Sequence, residues 1–145
     1  MMHSGEKLNA IIVDDVPDFL AGLRFFLEEV LDCNVIGEAS TGIELLKHTL
    51  LYDADFILID CEMPGLNGIE TARLLNFRYP SKKLIALTMY QDEICLNDLI
   101  TAGFSGYVYK PDIVSKLESV INNVLKNELD FSRALKIKRG MPKTK

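Results

Sequence analysis

The sequence predicts a doubly wound α/β domain, in which one sheet of five parallel strands is covered on both faces by five helices. Five short apolar segments recur along the chain, and each is followed by a stretch with apolar residues at three- and four-residue spacing, which is the helix pattern. Strict alternation of strand and helix requires parallel strands joined by right-handed crossovers. The length of 145 residues fits one domain that buries its own core.

The five apolar segments are short enough to be buried strands, and the helical stretches that separate them are longer. We predict strands over residues 8–13, 33–37, 55–59, 83–88 and 106–109.

Local signals mark the ends of the predicted helices. Pro17 suits the first turn of the first helix, Ser40 or Thr41 can cap the second, Pro80 stops the third, and Gly103 suits the end of the fourth. The predicted helices cover residues 17–30, 42–51, 66–77, 92–102 and 112–126.

The two ends of the chain differ in character. Residues 1–127 are predicted to form the domain, and residues 128–145 to form a basic linker or tail. From Phe131 onward the chain has six basic residues and no acidic one, and Gly140 and Pro142 oppose a helix. A linker and a solvated, frayed terminus explain this segment equally well.

Composition narrows the class of protein. The 21 acidic residues outnumber the 16 basic ones, so the chain has no broad cationic field for nucleic acid. Cys33, Cys61 and Cys95 lie too far apart for a zinc or redox motif, and we interpret them as reduced core residues. The absence of a signal peptide or a bilayer-length apolar stretch favours a cytoplasmic protein without a membrane partner.

Polar residues stand at the ends of four predicted strands. Asp14 and Asp15 follow the first strand, Asp60 ends the third, Thr88 ends the fourth and Lys110 follows the fifth. The carboxyl ends of parallel strands meet at one edge, which is where doubly wound sheets bind ligands. Three carboxylates held there repel one another unless a cation compensates them, and hard oxygen ligands favour Mg²⁺.

These residues suit phosphoryl transfer to a carboxylate. Asp60 can be the nucleophile while Mg²⁺ and Lys110 neutralise the phosphoryl oxygens. Thr88 can hydrogen-bond the product, and this interaction exists only in the modified state, so it can drive a switch. Asp14 and Asp15 alone would be ordinary helix-capping residues, but their combination with Asp60 and Lys110 favours the functional interpretation.

Over residues 8–126 the chain resembles the receiver domains of two-component response regulators, which have a flavodoxin-like fold. The resemblance rests on Asp14 and Asp15, on Asp60 within Ile-Asp-Cys-Glu-Met-Pro-Gly-Leu-Asn-Gly, on Leu-Thr-Met-Tyr at the fourth strand, and on Tyr107 before Lys-Pro. It implies that Asp60 is the phosphoacceptor. It also implies that Asp15 contacts Mg²⁺ directly, that Asp14 acts largely through water, and that the backbone carbonyl of Glu62 completes the protein ligands.

The same resemblance implies a mode of action. A sensor histidine kinase donates the phosphoryl group, Thr88 and Tyr107 move as the switch, and a homodimer is an expected product. Such a domain assists its own phosphorylation and dephosphorylation but is not a turnover enzyme. Glu62 and Tyr90 flank the path of attacking water and are expected to tune dephosphorylation, although a role as ordinary exposed side chains is equally reasonable for each.

A finer resemblance concerns the output. Leu-Thr-Met-Tyr-Gln-Asp-Glu and Ala-Gly-Phe-Ser-Gly-Tyr are similar to transcription regulators of the NarL/LuxR type, which carry a C-terminal helix-turn-helix. Nothing after Lys126 has the length or periodicity for such a domain. We therefore expect DNA binding only through a C-terminal domain absent from this chain, with residues 128–145 leading to it, and we favour this arrangement over a receiver domain that works alone.

Other classes fit less well. A haloacid dehalogenase-like phosphatase would have an Asp two residues after its nucleophile, where this chain has Glu62. A flavin-binding module would need a phosphate loop that the acidic residues after the first strand oppose. A pseudo-receiver, serving only as an interaction module, normally lacks an acid, the Thr or the Lys, all of which are present here.

Overall fold

The structure, a computed structural model, describes residues 6–131 and contains one five-stranded parallel sheet over that range. The strands are β1 (Asn9–Val13), β2 (Asn34–Ala39), β3 (Phe56–Asp60), β4 (Leu84–Thr88) and β5 (Gly106–Tyr109). Their order across the sheet is β2-β1-β3-β4-β5, so the chain reverses its direction of travel between β1 and β3. This order confirms the predicted doubly wound fold and places a switch point beside β1 and β3.

Five α-helices connect or follow the strands over the described range. They are α1 (Pro17–Phe25), α2 (Gly42–Leu46), α3 (Gly68–Arg78), α4 (Glu93–Ala102) and α5 (Ile113–Leu125). A π-helical turn, Phe26–Val30, continues α1, and short 3₁₀ turns cover Leu51–Asp53 and Lys110–Asp112. None of these helices is long and apolar enough to cross a membrane.

The sheet separates two apolar layers because successive strand residues point to opposite faces. Ile11 and Ile57 are fully buried in the layer that contains α2, α3 and α4. Ile12 and Leu58 are fully buried in the layer that contains α1 and α5. Each such side chain contributes about 1.5–3 kcal/mol through its burial, so both helical layers are tied to the central strands.

The prediction for the second helix was wrong at its end. The helix stops at Leu46 rather than near residue 51. The His48 amide donates to the Leu45 carbonyl, three residues back, and the Leu50 amide donates to the His48 ring rather than to a helical carbonyl. Leu51 therefore reaches the core from a separate 3₁₀ turn, although its spacing from Leu45 also fits one helix.

The loop after β3 is shaped by the start of α3. Asn67 caps the helix by accepting from the Glu70 amide at 2.9 Å, and the Glu70 carboxylate accepts from the Asn67 amide. A side chain at Gly68 would clash with the carbonyl oxygen of Asp60. The glycine therefore allows α3 to begin directly against the end of β3.

Two of the three cysteines are core residues as predicted. Cys33 and Cys61 are buried, whereas Cys95 is only half-buried. The prediction was wrong for Cys95 because that residue lies in the first turn of α4, where its amide donates to the capping carboxylate of Asp92 at 2.8 Å.

The chain beyond α5 turns back onto the sheet edge. Asp130 forms an isolated parallel bridge with Gly106, and its amide donates to the Ser105 carbonyl at 2.8 Å. Phe131 then stacks on the ring of Tyr107, with 5.9 Å between ring centroids. The remainder of the predicted basic tail, residues 132–145, lies outside the described residues.

Candidate functional site

The register of the sheet brings the predicted site residues to one edge. Val13 lies opposite Ile59, so the carboxyl end of β1 is aligned with that of β3. Asp14 directly follows β1 and is 0% exposed, and Asp60 ends β3 and is 2% exposed. These two carboxylates therefore face each other across the switch point, removed from water.

The three acidic residues form a cluster. One carboxylate oxygen from each of Asp14, Asp15 and Asp60 lies within 4.8 Å of the others. The Val16 amide donates to Asp14 Oδ1 at 2.9 Å, which orients that carboxylate. Mg²⁺ prefers hard oxygen donors and is usually held by one or two carboxylates with water, so this donor set fits the ion.

Lys110 is the cation of the site. Its Nζ lies 3.0 Å from Asp14 Oδ2 and 3.1 Å from Asp60 Oδ1. The same ammonium lies 4.5 Å from the centre of the Phe19 ring, a cation–π distance. Burial lowers the pKa of Lys110, but the hydrogen bonds to Asp14 and Asp60 outweigh it and leave the pKa raised. The side chain is therefore held as a protonated donor between the two carboxylates.

Asp60 has an unfavourable environment for its ionised form. Burial raises its pKa, the charge of Asp14 raises it further, and the hydrogen bond from Lys110 opposes both, with the result that the pKa lies at about 6. Among residues 6–131, three carboxylates face one ammonium, so this cluster carries excess negative charge. A divalent cation would relieve this repulsion.

Thr88 lies at the end of β4 and is 3% exposed. Its hydroxyl donates to Glu62 Oε2 at 3.1 Å and accepts from the Tyr90 amide at 3.0 Å. The other carboxylate oxygen of Glu62 accepts from the Met89 amide at 3.4 Å, and the Glu62 amide donates to Asp60 Oδ1 at 3.2 Å. Glu62 thus joins the end of β3 to the end of β4.

Tyr107 lies on β5, apart from the carboxylate cluster. Its hydroxyl donates to the Gln91 side chain at 3.1 Å, and its ring is half-buried against Phe131. Tyr107 is therefore connected to the loop that follows Thr88 and also to the segment that follows α5.

Two contacts could not be predicted from the sequence. Phe19 beneath Lys110 belongs to an apolar helical face that looks like ordinary core sequence. The carboxylate of Glu62 on Thr88 depends on how two loops meet, because 26 residues separate the partners. No local sequence pattern marks either contact.

Comparisons with known proteins agree with this geometry. A family model described as the response regulator receiver domain matches residues 10–122. The response regulator UvrY of Escherichia coli K12 is 32% identical over 81% of this chain and 54% of its own length. The nitrate/nitrite response regulator NarL of the same strain is 29% identical over 92% of this chain and 62% of its own. The chain thus spans little more than half of these relatives.

A solved structure gives the same result for the fold. The isolated receiver domain of RcsB from Salmonella enterica serovar Typhimurium, solved with the phosphomimetic BeF₃⁻, superposes with a TM-score of 0.78 and 27% identity. The match covers 91% of this chain and 98% of that domain.

Proposed function

The chain belongs to the response regulator receiver family, and we propose that it accepts a phosphoryl group on Asp60 from a sensor histidine kinase in a Mg²⁺-dependent reaction. One observation supports this most directly. The Asp60 carboxylate is buried, and one of its oxygens lies within 4.8 Å of an oxygen from each of two further carboxylates. It also forms an ion pair with the Lys110 ammonium at 3.1 Å. That arrangement suits a carboxylate nucleophile beside charges that stabilise a phosphoryl group.

In the proposed reaction, a carboxylate oxygen of Asp60 attacks the phosphorus of a phosphohistidine. The O–P bond forms, the P–N bond breaks, and the departing imidazole takes up a proton. Bound Mg²⁺ would neutralise charge on the phosphoryl oxygens. The Lys110 ammonium would donate to the same phosphoryl oxygens, since it already lies within hydrogen-bond distance of Asp60 Oδ1.

The proposed Mg²⁺ ligands are Asp15, Asp60 and the backbone carbonyl of Glu62, with Asp14 acting largely through water. Both carboxylate oxygens of Asp14 are already engaged, one by Lys110 and one by the Val16 amide. Direct contact through Asp15, which is partly exposed, is therefore favoured.

The proposed switch uses Thr88 and Tyr107. Phosphorylation adds about 1.5–2 negative charges and new acceptor oxygens, toward which the Thr88 hydroxyl would turn. Inverting an equilibrium from about 1:99 to 99:1 requires about 5.5 kcal/mol of differential stabilisation, more than one hydrogen bond supplies. Contacts from Thr88, Lys110 and the metal would therefore have to act together.

We further propose that the output is transcription control by a cytoplasmic regulator of the NarL/LuxR type. RcsB, which this chain resembles, has been solved as dimers bound to DNA. The present chain has a net charge of -5, so DNA contact would come from a C-terminal domain beyond it. Homodimerisation on phosphorylation would then pair two such domains.

Intact-mass spectrometry tests the reaction itself. The protein is incubated with phosphoramidate and Mg²⁺, with and without EDTA. Wild type and Asp53→Asn, an exposed control outside the site, should gain one phosphoryl group only when Mg²⁺ is present, and Asp60→Asn should gain none. An adduct on Asp60→Asn would refute the assignment, and no adduct on any variant would favour the pseudo-receiver alternative.

A further inference from the structure

The side chain of Glu62 has a position that the reaction alone does not explain. Its two carboxylate oxygens accept from Thr88 Oγ1 at 3.1 Å and from the Met89 amide at 3.4 Å. These donors lie at the end of β4, the end from which Thr88 is proposed to reach the phosphoryl group. An anionic group of the chain therefore already occupies the Thr88 hydroxyl before phosphorylation.

A threonine hydroxyl has only one proton to donate. In Thr88 that proton is donated to Glu62, and the oxygen accepts from the Tyr90 amide at 3.0 Å. The hydroxyl cannot donate to a phosphoryl oxygen on Asp60 without leaving Glu62. The two anions must compete for the same hydrogen bond.

We propose that Glu62 is an internal competitor of the phosphoryl group, and that its carboxylate holds Thr88 in the unphosphorylated arrangement. This inference rests on the proposed function. It deepens that function by making Glu62 a positioning residue that acts through Thr88. The amide of Glu62 donates to Asp60 Oδ1 at 3.2 Å, so the competitor is attached next to the group that it opposes.

The strength of this competition is limited because Glu62 is exposed and water can replace its contacts. Glu62 also carries a charge that repels a phosphoryl group whether or not it touches Thr88. A test must therefore separate the hydrogen bond from the charge.

A double-mutant cycle with BeF₃⁻ and Mg²⁺ makes this separation. The dissociation constant of BeF₃⁻ is measured by NMR titration for Glu62→Ala and Glu62→Gln, each in wild-type, Thr88→Val and Thr88→Ser backgrounds. Loss of one charge-assisted hydrogen bond at an exposed site should tighten BeF₃⁻ binding to Glu62→Ala by roughly three- to tenfold. Glu62→Gln keeps an acceptor without the charge and should give a smaller gain.

Comparing the residue-88 backgrounds separates competition for the Thr88 hydrogen bond from charge repulsion. The gain from Glu62→Ala should shrink by half or more in Thr88→Val, which lacks the hydroxyl, and should persist in Thr88→Ser, which keeps it. In the unliganded protein, Glu62→Ala should also move the amide signals of Met89 and Tyr90 toward their positions in the BeF₃⁻ complex. Glu29→Ala, which removes an exposed charge from the turn after α1, should change neither quantity.

Two results would overturn the proposal. Equal gains in the Thr88→Val and wild-type backgrounds would leave only charge repulsion, and no gain at all would remove any competition. Wild type assayed in parallel for its Mg²⁺-dependent phosphoryl adduct distinguishes these failures from a failure of the proposed function. A wild-type protein that neither binds BeF₃⁻ nor forms the adduct would refute both.

Discussion

Replacing Asp60 by Asn should stabilise the metal-free protein while it removes the proposed phosphoacceptor. Asp60 is 2% exposed and shares the single ammonium of Lys110 with Asp14, which is 0% exposed. Asn has nearly the same shape and can still accept a hydrogen bond from Lys110, but it removes one negative charge from a cluster in which carboxylates outnumber the ammonium. The usual loss from breaking a buried ion pair does not apply, because Lys110 keeps Asp14.

The size of the effect follows from the pKa. Burial and the charge of Asp14 raise the Asp60 pKa from 3.8 to about 6, against the hydrogen bond from Lys110. One unit corresponds to about 1.4 kcal/mol, so ionising Asp60 costs the folded state up to about 3 kcal/mol at neutral pH. Because the folded-state pKa is raised, the penalty is fully present above pH 6 and disappears as the pH falls toward 4. We expect Asp60→Asn to gain about 1–3 kcal/mol at pH 7 and little at pH 4.

Urea unfolding of wild type, Asp60→Asn and the surface control Asp53→Asn measures this difference. The titrations are run in EDTA at pH 7 and pH 4, and then at pH 7 with saturating Mg²⁺. Ligand that binds only the folded state stabilises it, so Mg²⁺ should raise wild-type stability more than that of Asp60→Asn and narrow the gap. An Asp60→Asn protein less stable than wild type at pH 7 in EDTA would refute the electrostatic reasoning.

Three further predictions concern the site lysine, the start of α3 and the segment after α5. Lys110→Met should lower the free energy of unfolding by about 3–5 kcal/mol in EDTA, because two buried carboxylates lose their cation, and an unchanged urea midpoint would contradict this. Asn67→Ala removes the capping box of α3 and should cost about 0.5–2 kcal/mol in the same assay, whereas Asn67→Asp should retain most of the stability. Phe131→Ala should cost about 0.5–1.5 kcal/mol and shift the ring signals of Tyr107 by NMR, and static signals would argue against the stack in solution.

The sequence predicted the fold well because the fold depends on alternation. Strands such as Phe56–Asp60 and Leu84–Thr88 are buried at every position and are apolar up to their last residue, so hydrophobicity marks them. The prediction of where α2 ends was wrong for a related reason. Leu45 and Leu51 are both core residues, and their spacing does not reveal that His48 breaks the helix between them.

The site likewise has one part that the sequence predicts and one part that it does not. Asp14, Asp60 and Lys110 directly follow or end strands, so the topology alone predicts that they meet, and the structure brings them within ion-pair distance. Side chains that reach the site across loops were not predictable. The carboxylate of Glu62 depends on the path of the loop that precedes α3, and that path depends in turn on the close approach at Gly68.

The segment after α5 connects the proposed switch to whatever follows it. Tyr107 donates its amide to the Asp130 carbonyl at 3.3 Å, and its ring stacks on Phe131. Any reorientation of Tyr107 must therefore break or carry the stack, while the backbone bridge at Gly106 can remain. Within residues 6–131, the Phe131 stack and the Asp130 hydrogen bond link Tyr107 to the segment after α5, and Tyr107 also bonds Gln91 in the loop that Thr88 begins. Coupling by this route requires that Tyr107 and Phe131 change state together. In the Phe131→Ala variant, the BeF₃⁻ response of the amide signal at position 131 should be lost, while the response at Thr88 is retained.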